Sequence, residues 1–115
     1  MGQDNIKRKK KRINFPCEAK IRIVGEDKDI NVNIKDINTS GARVIIGGRH
    51  IKVDTPLEIK INISGRCIQC RGRSVWILAL RPGFGNINLF DMGVEFAELN
   101  PEDQVFLEEI LGTTN

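Results

Sequence analysis

Between Ala19 and Phe96 the apolar residues of this chain return at every second position, in short runs cut by glycine, asparagine, aspartate and proline. A period of two lays one face of an extended strand on a core and leaves the other in water, whereas a helix would need a period of about 3.6. Ala19, Ile21 and Ile23 alternate with Glu18, Lys20 and Arg22. Ile30, Val32 and Ile34 alternate with Asn31, Asn33 and Lys35, and a third run carries Ala42, Val44 and Ile46 before Gly47-Gly48. The fourth is the most regular, with Leu57, Ile59, Ile61 and Ile63 against Glu58, Lys60 and Asn62, and Ser64-Gly65 after it predicts a tight hairpin turn.

The fifth run, Arg66 to Leu80, is too long for one flat strand, and its apolar phase shifts between Ile68/Cys70 and Val75/Ile77. We therefore expect a bulge near Gly72. A loop over Arg81–Asn86 leads to a sixth strand through Phe90, Met92, Val94 and Phe96. Only the end reads as helical, over about residues 100–111: Asn100 caps, Pro101 opens the first turn, Glu102 and Asp103 suit the helix dipole, and Gly112 stops it. Val105, Phe106, Ile110 and Leu111 are the expected apolar face. Six strands in succession without crossover helices predict an all-β fold, an antiparallel barrel or sandwich closed by a helix.

A chain of 115 residues supports one modest core. Its 18 basic and 15 acidic residues are unevenly spread: residues 7–12 are all basic, so the remainder holds 12 basic residues against 15 acidic. The expected organisation is a flexible basic arm over residues 1–16 and a domain over 17–115, with an anionic partner met at the arm. The longest apolar run, Val75 to Leu80, is six residues, where a membrane helix needs about 20. No apolar segment follows the basic arm, so it does not read as a signal peptide. Three scattered cysteines, Cys17, Cys67 and Cys70, suit a reducing cytoplasm.

Two segments carry binding chemistry. In Lys7–Arg12, Arg8 and Arg12 supply planar forks that hold a phosphate, or the O6/N7 edge of guanine, through paired hydrogen bonds. In Asp36-Ile37-Asn38-Thr39-Ser40-Gly41, between two strands, a carboxylate can accept from guanine N1–H and N2–H₂, Asn38 can add an amide contact, and Gly41 lets backbone come close. Such residues also serve merely as turn formers.

Zinc at Cys67 and Cys70, completed by Cys17 and His50, is not expected, because a strand sends positions three apart to opposite faces. Nor is catalysis: the one histidine, His50, has no evident nucleophile or carboxylate partner, and Gly47-Gly48 lacks the Lys-Ser/Thr of a phosphate-binding loop.

The chain resembles the PilZ domain, the receptor module for the bacterial second messenger cyclic di-GMP. The resemblance rests on an RxxxR element at Arg8 and Arg12, a [D/N]xSxxG-like element at Asp36 to Gly41, and Gly93-Val94-Glu95-Phe96 ahead of Pro101-Glu102-Asp103. It implies a six-stranded antiparallel split β-barrel with a C-terminal helix, and a non-enzymatic receptor without metal or catalytic cofactor. It also implies that Arg8 and Arg12 clamp guanines and phosphates, while Asp36, Asn38 and Gly41 bind from the barrel surface. Asn38 stands where the pattern has serine, and Lys7 where a further arginine is often seen. Ser40 and Trp76 are secondary candidates, Trp76 as a base-stacking platform. The arm would order on the ligand and signal to a separate protein partner. Two other readings stay open: a degenerate PilZ-like barrel acting through protein contacts alone, and a small RNA- or DNA-binding barrel. The second is disfavoured by an aromatic content of 5% without tyrosine.

Overall fold

The computed structural model describes residues 17–80 and 88–112. Among the described residues six strands, β1 (Cys17–Ile23), β2 (Ile30–Ile37), β3 (Gly41–Gly47), β4 (Pro56–Ile63), β5 (Arg66–Ala79) and β6 (Leu89–Phe96), precede a helix, α1 (Pro101–Gly112). They form a closed antiparallel barrel in the order β1-β2-β3-β6-β5-β4, with β4 returning along the whole of β1. The alternation read from the sequence turns inward as expected: Ile21, Val44, Ile46, Leu57, Ile61, Ile63, Ile68 and Met92 are all buried. Ser64 and Gly65 both take positive φ, 50° and 81°, the pattern of a type I′ hairpin turn.

Two bulges interrupt this regularity. In β2 the register steps from Ile34 opposite Val44 to Asp36 opposite Arg43, so Lys35 is the extra residue. In β5 it steps from Ser74 opposite Val94 to Trp76 opposite Gly93, so Val75 is extra. The expected bulge of β5 therefore exists, three residues beyond Gly72, whose stretch pairs regularly with β4. Each bulge reverses the phase of its strand. After inward Ile30, Val32 and Ile34, unbroken alternation would send Asp36 into the core; instead Ile37 is buried and Asp36 half-exposed. After Ile68, Gly72 and Ser74, it would likewise bury Trp76, which is 40% exposed, while Ile77 packs on the core.

Ser74, fully buried, ties the β3–β4 connection to the barrel. Its hydroxyl donates to Lys52 O (2.6 Å) and accepts from Thr55 N–H (3.0 Å), and its backbone exchanges bonds with Asp54 and Thr55. Ser74→Ala would take the acceptor from Thr55 N–H, while Lys52 O keeps its bond from Thr55 Oγ1, and should cost about 1 kcal/mol, read as a lower urea midpoint at unchanged slope.

Asn100 caps α1 as expected, its Oδ1 accepting from Glu102 N–H at 2.8 Å. The buried face needs correction: Leu107 is fully buried and Asp103 nearly so, whereas Val105 is 53% exposed. At about 100° per residue Val105 lies across the axis from Leu107, so the face runs Asp103, Phe106, Leu107, Ile110, Leu111. Asp103 Oδ1 accepts from Arg66 Nε at 3.0 Å, and the guanidinium lies 5.1 Å from the Phe106 ring centroid, docking the helix onto the start of β5.

Candidate ligand-binding cleft

The phase reversals bring one row of residues to the outer wall of the barrel. Asp36 on β2 is opposite Arg43 on β3, Arg43 opposite Gly93 on β6, and Gly93 opposite Trp76 on β5. A Cβ on Gly93 would fall 2.2 Å from Trp76 Nε1, so the indole lies against bare backbone there. The row forms part of a cleft of about 410 Å³ that also takes in Asn38, Ser40 and Gly41, with Leu111 of α1 among its lining residues. A larger cleft of about 610 Å³ between β4, β5 and the approach to α1 gathers none of the expected ligand residues. One of about 420 Å³ over β1, β2 and β4 likewise holds none of them.

Local chemistry shapes the β2–β3 turn. Asn38 Oδ1 accepts from the backbone N–H of Ser40 (2.7 Å) and Gly41 (3.1 Å), and Asn38 N–H donates to Gly41 O (2.9 Å). The side-chain carbonyl of Asn38 is thus occupied by the turn, which leaves its amide N–H₂ as the group able to meet a ligand. At Gly41 an added Cβ would sit 2.1 Å from Val94 O, so β3 and β6 approach there only because position 41 has no side chain.

The electrostatics centre on Arg43, which sequence reading missed because a strand arginine with an outward phase resembles a solvated charge. Its Nε lies 3.2 Å from Asp36 Oδ2, without the alignment of a hydrogen bond, and its Nη1 lies 3.6 Å from Asp91 Oδ2. Across the cleft, Glu95 accepts from Arg73 Nε at 3.1 Å, and Arg73 Nη1 donates to Asp54 at 2.6 Å.

The arm residues Lys7, Arg8 and Arg12 lie outside the described residues. Where the arm joins is nonetheless fixed by topology. β1 starts two residues before Ala19, whose partner is Val32, and β2 runs five residues past Val32 to Ile37. The chain therefore enters the barrel at the end that carries the Asp36–Gly41 turn.

The thiols are placed apart: Cys67 is exposed, while Cys70 packs against the core. Burial, with a smaller push from the Asp103 charge, raises the Cys70 thiol to about 11, so it stays protonated at neutral pH. Among the described residues no three metal-ligating side chains cluster, and no helix is long and apolar enough to cross a membrane. His50 is exposed and stands edge-on to Phe90, with ring centroids 5.3 Å apart.

Comparison with known proteins places these features in a lineage. A family profile described as the PilZ domain matches residues 6–112. A solved structure, the Bacillus subtilis inhibitor of motility (MotI/DgrA), shares the fold with a TM-score of 0.68 at 16% sequence identity. The match covers 90% of this chain and 48% of that one, so this chain spans about half of its length. No protein of curated function is significantly similar in sequence.

Proposed function

This chain belongs to the PilZ domain family, and on that footing we propose that it is a non-enzymatic receptor for cyclic di-GMP, built as a basic arm (residues 1–16) on a barrel module (17–115). The observation that carries the reading is convergence: Asp36, Asn38, Ser40, Gly41 and Trp76 line one cleft, at the barrel end where the arm joins. Its volume of about 410 Å³ falls in the usual small-molecule range of about 300–1,000 Å³. Arg12 precedes Cys17 by five residues, a reach of at most about 18 Å from the barrel end that carries the Asp36–Gly41 turn.

The roles follow from the chemistry. Asp36 accepts from the Watson–Crick edge of a guanine, with the Asn38 amide and Ser40 hydroxyl as neighbouring donors. Gly41 keeps the wall low, and the Trp76 indole offers a face for stacking. Arg8 and Arg12, assisted by Lys7, neutralise the phosphates and take guanine O6/N7 edges. The arm loses its freedom when the ligand binds, and the surface so created is read by a separate protein in the cytoplasm. No catalytic step, catalytic cofactor or metal is assigned, and the scarcity of aromatic residues disfavours nucleic acid as the partner. A competing reading, a barrel that has lost the ligand and works through protein contacts, draws on Asn38, whose carbonyl is spent on the turn.

Calorimetric titration with cyclic di-GMP separates the two, and Trp76, the only tryptophan, gives a second signal. The receptor reading expects micromolar or tighter binding with a change in tryptophan emission, and an affinity that is clearly weakened yet still measurable in Asp36→Ala. Absence of heat and of any fluorescence change at high ligand concentration would leave the degenerate barrel as the better account.

A further inference from the structure

We propose that Arg43 is a positioning residue that fixes the Asp36 carboxylate in its ligand-facing orientation and is itself steadied by Asp91. The inference rests on the receptor reading for its consequence, though not for its geometry. Arg43 is the cross-strand neighbour of Asp36, and Asp91 sits two residues before Gly93, the partner of Arg43 on its other side. Its guanidinium stands between the two carboxylates, 3.2 Å from Asp36 Oδ2 and 3.6 Å from Asp91 Oδ2. Asp91 is the anchored end, its side chain only 14% exposed; Asp36 is the open end at 40%.

A second observation singles out this trio. Among the described residues, Arg43 Nε and Asp91 Oδ1 are the buried side-chain polar atoms without a hydrogen-bond partner. A pair selected for stability alone would satisfy such atoms, because each buried unpaired group costs about 1–3 kcal/mol. Here the fork is divided between two acids, and it aligns fully with neither. That division orients the carboxylate of Asp36 while leaving it free to turn its lone pairs to an incoming donor. The bulge at Lys35 creates the need: it turns Asp36 out of the core onto an open wall, where an unsupported short side chain would sample several rotamers.

Three-bond couplings across the Asp36 Cα–Cβ bond, measured by NMR in the ligand-free protein, decide the proposal without reference to any ligand. The wild type is expected to hold one rotamer, and Arg43→Gln to show averaging, with Asp91→Asn intermediate. Arg43→Lys, which keeps the charge but not the fork, should restore part of the order and serves if Arg43→Gln does not fold. Averaged couplings in the wild type, or unchanged couplings in Arg43→Gln, overturn it. Affinity then tests the consequence. Arg43→Gln should weaken cyclic di-GMP binding about tenfold, and should add less than about twofold in an Asp36→Ala background, since coupled residues are not additive. An equal loss in both backgrounds would mean that Arg43 meets the ligand itself, which also overturns the proposal. A wild type that ignores cyclic di-GMP would instead remove the receptor reading, with the couplings still deciding what Arg43 does.

Discussion

Replacing Gly41 by alanine should destabilise the protein by about 2–4 kcal/mol and weaken cyclic di-GMP binding in whatever fraction remains folded. The added Cβ would stand 2.1 Å from Val94 O and 3.2 Å from Glu95 Cα. Neither is the far end of a flexible side chain. Val94 is held on both sides, opposite Ala42 on β3 and Ser74 on β5, so the backbone has no cheap way to withdraw. β3 and β6 would have to part at the row that lines the cleft, which couples the stability loss to the binding loss. Urea denaturation gives the first quantity and calorimetry the second. A midpoint within about 0.5 kcal/mol of the wild type would show that the wall yields more easily than its pairing implies.

The largest purely functional effect is expected in the arm. Arg12→Ala should weaken cyclic di-GMP binding by about ten- to a hundredfold, the scale of a lost charge-assisted hydrogen-bonding fork, while leaving the unfolding midpoint unchanged. Arg8→Ala should behave alike, and the double substitution should remove measurable affinity. Arg12→Lys should recover little, because lysine keeps the charge without the planar pair of donors. Salt separates charge from geometry: raising ionic strength should weaken the wild type more steeply than Arg12→Ala, which has one phosphate-facing cation fewer. Full affinity in the double variant would place recognition wholly on the barrel.

Much of the scaffold was legible because burial imposes a period on a strand. β4 alternates without a fault and is buried at Leu57, Ile59, Ile61 and Ile63. What resisted reading were the places where the period breaks. The bulge of β5 announces itself as a phase shift, yet Gly72 attracts the assignment because glycine is a natural bulge residue. Ser74, small and polar, looks as though it should face water; it is buried because Lys52 O and Thr55 N–H meet its hydroxyl, partners that no local pattern reveals. The bulge of β2 is harder still, since Lys35-Asp36-Ile37 before Asn38 reads equally well as the entry to a turn. On α1, Val105 and Leu107 are both plausible core residues, and the docking of Asp103 on Arg66 decides between them.

The candidate site was legible in its parts and not in its assembly. The Asp36–Gly41 segment declared itself by composition, and Trp76 by being the lone indole. That they share a cleft follows from strand order, β2-β3-β6-β5, which places residues 36 and 76 three strands apart on one wall. Arg43 carried no signal of its own beyond an outward phase two residues after Gly41.

The two inserted residues, Lys35 and Val75, have an arithmetic consequence. A β-barrel of this kind records, in whether the count along a strand is odd or even, which side chains meet solvent and which meet oil. Adding one residue on each of two strands switches the parity only downstream of the insertion, so everything upstream keeps its place. The two insertions therefore set both surfaces at once: Asp36 and Trp76 face outward, and Ile37 and Ile77 inward, only because of them, so removing either inserted residue would bury a cleft residue and expel a core one.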